Sequence, residues 1–259
     1  MRTIQSPHND QLKHLGKLLQ QAKYRRQNKQ TVLEGSHLLD ALLRSGRLPE
    51  KVYLPESRLA HPETAALLAR LPEHIVNTVA ETAYAKIGAH TEERGILTLV
   101  ALPESAAEPQ SDCIMLDRIQ DPGNLGNILR SAAAAGIPAA LLSEGCVDAY
   151  SPKVLRAGMG AHFLICIREH VPLADCIRRF PNPVFATALA PDSRPLYQTD
   201  LRHPCAWLFG NEGSGIAPEL SALACHTVRI PMAGSTESLN VAAAAAICLF
   251  EQVRQRQVA

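Results

Sequence analysis

Ile230-Pro231-Met232-Ala233-Gly234-Ser235-Thr236-Glu237-Ser238-Leu239-Asn240-Val241 is the stretch on which the reading of this chain turns. A β-rich run, Thr227–Ile230, ends at Pro231, passes a Gly/Ser turn, and enters a long helical pattern expected from about Ser238 to Arg254. Strand, polar loop and helix in that order are the repeating unit of a parallel α/β sheet, which holds its ligands in the loops beyond the strand ends. Capping accounts for Ser238 at the helix start. Asn240, in the first helical turn, has no evident structural need and so becomes a functional candidate.

Two upstream segments have the same form. Leu116-Asp117-Arg118-Ile119-Gln120-Asp121-Pro122-Gly123-Asn124-Leu125-Gly126-Asn127-Ile128-Leu129-Arg130 follows the apolar strand Cys113–Leu116 and opens a helix expected from about Asn124 to Ala135. Asn124 and Arg130 stand nearly two helical turns apart and can project from similar faces, although an N-cap beside a surface arginine would look the same. Leu208-Phe209-Gly210-Asn211-Glu212-Gly213-Ser214-Gly215 follows the strand Ala206–Phe209. It matches neither G-x-G-x-x-G nor a P-loop, and by itself reads equally as a tight connection or a binding loop.

Around these segments the strands Ala139–Leu142, Phe163–Ile167 and Val184–Ala188 alternate with helical patterns, which predicts a mostly parallel sheet covered on both faces over residues 112–259. Pro103–Ser111, with two prolines and small or acidic residues, reads as the core of a linker over 102–111. Residues 1–101 form a separate small α/β domain. Its expected helices are Asp10 to about Arg26, His37–Arg44, Glu63–Leu71 and Glu81–Ile87. Its expected strands are Thr31–Leu33, Lys51–Leu54, Ile75–Val79 and Ile96–Val100.

Composition narrows the function. The chain has 259 residues, 46% hydrophobic and 20% charged, with net charge +1. These values suit a globular protein and argue against a disordered, collagen-like or coiled-coil chain. There is no apolar run of about 18 residues and no apolar leader after Met1, so a cytoplasmic location is expected. Seven cysteines contain no C-x-x-C pair and ten histidines no H-x-x-x-H pair; no metal is expected, and most cysteines read as small hydrophobes. Charge is uneven. Residues 1–48 carry nine Lys/Arg against three acids, +6, leaving −5 for the remainder. A basic face of this kind suits a phosphate backbone, as it also suits a solvated helix. Lys23-Tyr24-Arg25-Arg26 places an aromatic among cations, where it could stack on an unpaired base.

Taken together, the three polar segments resemble the three motifs of the SpoU/TrmH family of RNA ribose 2′-O-methyltransferases, in the SPOUT superfamily. These are N-x-x-x-x-x-R at Asn124/Arg130, G-x-E-x-x-G at Gly210/Glu212/Gly215, and I-P-M-x-G-x-x-x-S-L-N-V at Ile230–Val241. The likeness spans roughly residues 112–256, with one departure: Ala242 stands where the family commonly has Ser. It implies an α/β fold whose C-terminal domain is a trefoil-knotted SPOUT methyltransferase domain. The N-terminal part, with Lys23, Arg25 and Arg26 as RNA-binding residues, is similar to the ribosomal-protein L30e-like domain that many members carry. The division implied is a substrate-binding domain at 1–101 and an S-adenosylmethionine (AdoMet) domain at 112–259.

The resemblance further implies that Thr187, Ala188, Leu189, Gly210, Ile230, Met232 and Leu239 hold AdoMet. It implies a homodimer packed through the first-motif helix and the last helix, whose small-residue runs Ala132–Ala135 and Ala242–Ala246 suit close approach. The implied catalytic set is Asn124, Arg130, Glu212, Ser238 and Asn240. A guanidinium stays protonated at neutral pH, so Arg130 is read as a phosphate clamp that also stabilises a developing alkoxide. Glu212 is read as proton acceptor or as an ion-pair partner orienting Arg130, and Asn124, Ser238 and Asn240 as positioning groups. The expected activity is ribose 2′-O-methylation of RNA, with ribosomal RNA as the expected substrate. The alternatives are a transfer-RNA enzyme and a non-catalytic RNA-binding assembly factor of the same fold.

Overall fold

In the computed structural model, residues 2–87, 95–104, 108–189 and 193–257 are described. The expected linker therefore lies partly outside the described residues, at 105–107. The elements run β1 (Arg2–Ile4), α1 (Asp10–Gln20), α2 (Ala22–Asn28), β2 (Gln30–Glu34), α3 (Ser36–Arg44), β3 (Lys51–Pro55), α4 (Pro62–Leu68), β4 (Val76–Val79), α5 (Glu81–Tyr84) and β5 (Leu97–Ala101). Next come β6 (Cys113–Leu116), α6 (Pro122–Ala134), β7 (Ala139–Leu142), α7 (Pro152–Gly158), β8 (Cys166–Arg168), α8 (Leu173–Arg179), β9 (Val184–Thr187), β10 (Arg194–Pro195), β11 (Ala206–Phe209), α9 (Pro218–Ser221), β12 (His226–Arg229) and α10 (Val241–Gln257).

Two compact units result: residues 1–104 with 150–163, and residues 105–149 with 164–259. In the first, five strands are ordered β1-β4-β3-β5-β2; β1, β4 and β3 are parallel, and β5 runs antiparallel to β3 and β2. Leu12, Leu15 and Leu18 of α1 pack with Val32, Tyr53 and Leu97, while Leu39 and Leu67 pack with Val52 and Leu54 in a separate cluster. Val52 and Leu54 alternate with Tyr53 along β3, so the two clusters occupy opposite faces of the sheet.

This unit is completed by residues far away in sequence. Thr31 Oγ1 donates to the carbonyl of Tyr150 (2.9 Å), and Arg156 of α7 pairs with the buried Glu34. Gly160 closes the packing: its φ is +92°, and a Cβ there would lie 2.7 Å from the Cβ of Ala41. Residues 150–163 thus cluster with the first unit, although in sequence they fall inside the 112–259 span expected for the second.

Other differences have local causes. The helix expected from Asp10 to about Arg26 breaks at Gln21, whose φ of −122° and ψ of 109° are extended. Arg25 folds back across the break and donates to the carbonyls of Leu18 and Leu19, oxygens that a continuous helix would have used internally. Residues 161–163 form a 3₁₀ turn, so the strand expected at Phe163–Ile167 starts later, at Cys166. The short edge strands β1 and β10 have no apolar run to announce them.

The second unit contains one seven-stranded sheet, ordered β10-β12-β9-β11-β6-β7-β8, with every pairing parallel. Its central strands CIML, AALL and AWLF are buried at every residue, as a sheet covered on both faces requires. Cys113, Met115 and Leu208 pack with α8 and α9 on one face. Trp207 points the other way and donates its indole N–H to Gln252 of α10 (2.7 Å). Because β6, β9, β11 and β12 are parallel neighbours, the segments that follow them all leave the same edge of the sheet.

Candidate active site

The loop after β6 is anchored by a buried carboxylate. Asp117 is 3% exposed, and its oxygens accept from Arg118 Nε and Nη2 (3.0 Å each) and from the backbone N–H of Ala217 (2.9 Å). Ser143 Oγ, beyond β7, accepts from the Arg118 N–H at 2.9 Å. The bonded carboxylate raises the Arg118 guanidinium above its ordinary value. Asn211 completes the tie, donating from Nδ2 to the Arg118 carbonyl (2.8 Å) while its Oδ1 accepts from the Gly213 and Ser214 N–H groups. The glycine-rich turn is thereby fastened to the β6 loop. Gly210 sits under it, where a Cβ would lie 2.3 Å from Gly215 C and Ile216 N; only glycine fits. Asp117 and Asn211 were not singled out from sequence. The available signals were a charge directly after a four-residue apolar strand and an Asn leading a glycine turn.

Helix α6 is capped by Asp121, whose Oδ1 accepts from the Asn124 N–H (2.7 Å). From that first turn Asn124 Nδ2 donates to Glu212 Oε1 (2.9 Å), and Asn124 Oδ1 accepts from Asn240 Nδ2 (2.8 Å). Asn240 Oδ1 accepts in turn from the N–H groups of Ala242 (2.9 Å) and Ala243 (3.3 Å). Asn240 is therefore the N-cap of α10, a structural role that the sequence reading did not give it. The helix begins at Val241, and Ser238 is an exposed loop residue rather than the cap.

A cavity of about 590 Å³ opens at this edge. Thr187, Ala188, Leu189, Gly210, Ile230, Met232 and Leu239 line it, together with Glu212, Ser238 and Asn240. Three large apolar side chains on its wall remain in solvent: Leu189 at 64% exposure, Met232 at 36% and Leu239 at 37%. Exposed apolar surface inside a concave site marks a place for a ligand with apolar parts, and the volume suits a small molecule. Arg130 lies apart from this cavity. It is exposed on α6 and lines a neighbouring groove of about 440 Å³ with Asn127, Ser131, Ala134, Phe250 and Asn240. The ion pair between Glu212 and Arg130 considered above is not formed; Glu212 bonds to Asn124 instead. Asn240 alone among the expected catalytic residues borders both cavity and groove.

In the first unit, Lys23 and Arg26 are exposed on α2. Arg25 is not available as a phosphate ligand: it is 4% exposed and occupied with the α1 carbonyls. Tyr24 is also engaged, its hydroxyl bonded to His14 Nδ1 (2.9 Å) and its ring facing Lys17 Nζ (5.4 Å), so it is no open stacking platform. Among the described residues no cluster of His, Cys, Asp and Glu could hold a metal ion, and no helix is long and apolar enough to cross a membrane.

Comparison with known proteins bears directly on this site. The profile of the SpoU rRNA Methylase family matches residues 112–250, which include all three polar segments. The chain is 32% identical to the 23S rRNA (guanosine(2553)-2′-O)-methyltransferase RlmP of Bacillus subtilis, over 96% of this chain and 98% of that protein. It is similar to the crystal structure of an AdoMet-bound rRNA methyltransferase from Sinorhizobium meliloti, with a TM-score of 0.82, 30% identity, and coverage of 98% of this chain and 97% of that one. A crystal structure of an RNA 2′-O ribose methyltransferase superposes with a TM-score of 0.81 at 32% identity, covering 98% and 99% of the two chains. A continuous family match of this extent, reaching from β6 into α10, means that the chain belongs to the SpoU rRNA Methylase family.

Proposed function

We propose that this protein transfers a methyl group from AdoMet to a ribose 2′-hydroxyl of ribosomal RNA. The observation that carries the reading is the position of Asn240, where the half-apolar cavity meets the groove that presents Arg130. A donor on one side and a sugar-phosphate chain on the other would meet at that residue.

The cavity fits AdoMet on its own terms, because Leu189, Met232 and Leu239 offer exposed apolar walls beside the polar rim of Glu212, Ser238 and Asn240. Bound there, AdoMet supplies a methyl already made electrophilic by its sulfonium. The remaining work is alignment and removal of one proton. Arg130, exposed and without an ion pair among the described residues, binds the phosphate next to the target ribose and stabilises the developing alkoxide. Glu212 has Oε1 held by Asn124, and its Oε2 would accept the 2′-hydroxyl proton when the ribose oxygen takes the methyl and the sulfur–methyl bond breaks. Ser238 hydrogen-bonds the ribose from the rim. Lys23 and Arg26 bind more distant phosphates from the N-terminal part, read as a ribosomal-protein L30e-like domain over 1–101. The linker at 102–111 and the AdoMet domain at 112–259, with a trefoil knot and action in the cytoplasm, complete this reading. Homodimer formation is supported by the half-exposed Phe250 on α10.

Incubation with methyl-labelled AdoMet and ribosomal RNA, followed by mapping of 2′-O-methyl positions, tests the proposal. The expected product is one nuclease-resistant, ribose-labelled dinucleotide. Label on a base, label only in transfer RNA, or no label in any RNA would reject it.

A further inference from the structure

The hydrogen bonds around Asn240 run in one direction. A carboxylate can only accept, so Asn124 must present its Nδ2 to Glu212, and its Oδ1 is then left as an acceptor. Asn240 must therefore present its own Nδ2 to Asn124, which leaves Asn240 Oδ1 to accept from the first-turn N–H groups of α10. Neither amide can be turned over without putting donor against donor or acceptor against acceptor at two junctions at once. Asn124 is held in place by its backbone bond to Asp121, which fixes the middle of the chain.

We infer that Asn240 and Asn124 form a one-way relay from the N-terminus of α10 to Glu212, and that both are positioning residues for its carboxylate. Asn240 does two chemically separable things: it accepts as a cap, and it donates as a relay link. Capping alone does not call for Asn, since Asp and Ser cap as well. The donor side does, because neither an Asp carboxylate nor the shorter Ser side chain can deliver an N–H to Asn124. Successive amides polarise one another, and the positive end of the helix dipole stands at the head of the chain. The inference rests on the methyl-transfer reading for its effect on rate, though not for the relay itself.

Asn240→Asp, Asn240→Ser and Asn240→Ala separate the two contributions in the full-length protein. Asp and Ser retain the cap, so their melting temperatures should stay within about 2 °C of wild type, while Ala should melt lower. All three lose the relay, so kcat should fall at least about tenfold, with the KM for AdoMet moving by less than about threefold. Asn124→Asp, which still accepts from Asn240 but cannot donate, should show the same split. Turnover of Asn240→Ser within about twofold of wild type, or losses that follow melting temperature across the series, would overturn the inference. If the wild-type protein methylates no RNA, the functional reading fails separately. The relay is then read from side-chain amide proton exchange of Asn124, expected to be slowed in wild type and faster in Asn240→Ser; equal rates would overturn it.

Discussion

At its N-terminal end, helix α10 is held by the exposed Asn240, whose bonds lead to Asn124 and Glu212 at the rim of a cavity. At its C-terminal end the same helix is gripped from several sides. Arg256 makes a forked pair with Asp112 (2.6 and 2.9 Å) and also donates to the carbonyls of Leu201 and His203. Gln252 takes the Trp207 indole N–H, and Gln255 accepts from the Leu201 N–H and donates to the Thr199 carbonyl. Arg254 and Arg256 in the last turn also suit the negative end of the helix dipole. The comparison teaches where a small enzyme domain can place rigidity. The end with the most buried bonds takes no part in the proposed reaction, and the end that does is held by a few exposed amides.

Changes at the two ends should therefore separate stability from turnover. The largest effect is expected from Asp112→Ala, which removes the carboxylate paired with Arg256 and takes one acceptor from Gln252 Nε2 and from the Cys205 N–H. It should cost about 3 kcal/mol and lower the melting temperature by ~6–12 °C, read by calorimetry, with AdoMet affinity retained. Arg130→Ala should do the reverse, leaving the melting temperature unchanged and cutting turnover on ribosomal RNA by about 10²-fold. Equal damage to both measurements in either variant would break the comparison. Trp207→Phe removes one buried donor from Gln252 and should lower the melting temperature by ~2–4 °C with kcat unaltered.

The smallest effect is one of pH. Burial pushes the Cys205 and Cys248 thiols up to about 12 from an unfolded value of 9.0, and Asp112 adds to the shift at Cys205. A raised acid is protonated in the fold and ionises more readily when unfolded, so its stabilising share is complete below pH 9 and is lost between 9 and about 12. Melting temperatures should therefore decline as pH rises above 9. Alkylation at pH 8 should reach the exposed Cys225 long before these two. A Cys248 that labels as fast as Cys225 in the native protein would show that the anchored end opens readily.

Much of this was legible from residue order where burial alone decides structure. Cys113–Leu116, Ala139–Leu142 and Ala206–Phe209 are buried on both faces, so an uninterrupted apolar run announces each of them at its true bounds. The three polar segments follow β6, β11 and β12, and most of the residues expected to hold AdoMet or do chemistry meet at one cavity. What escaped depended on partners distant in the chain. Arg25 looks like any other cation in Lys23–Arg26, and only the break at Gln21 explains why it turns inward to the α1 carbonyls. Asn240 looked free of structural duty because the start of α10 was placed at Ser238; shifting it to Val241 makes Asn240 the cap. The bond between Thr31 and Tyr150 spans 119 residues, beyond the reach of any local pattern.

That long-range bond bears on how such a chain can be divided or recombined. A single cleavage near residue 105 would not liberate two intact pieces, since the front fragment would lack the helical segment Tyr150–Phe163 that neutralises Glu34 and seats Gly160 against Ala41. Exchanging the first unit for another, in the laboratory or over evolutionary time, therefore calls for three junctions, two of them flanking residues 150–163 within the sequence of the second unit.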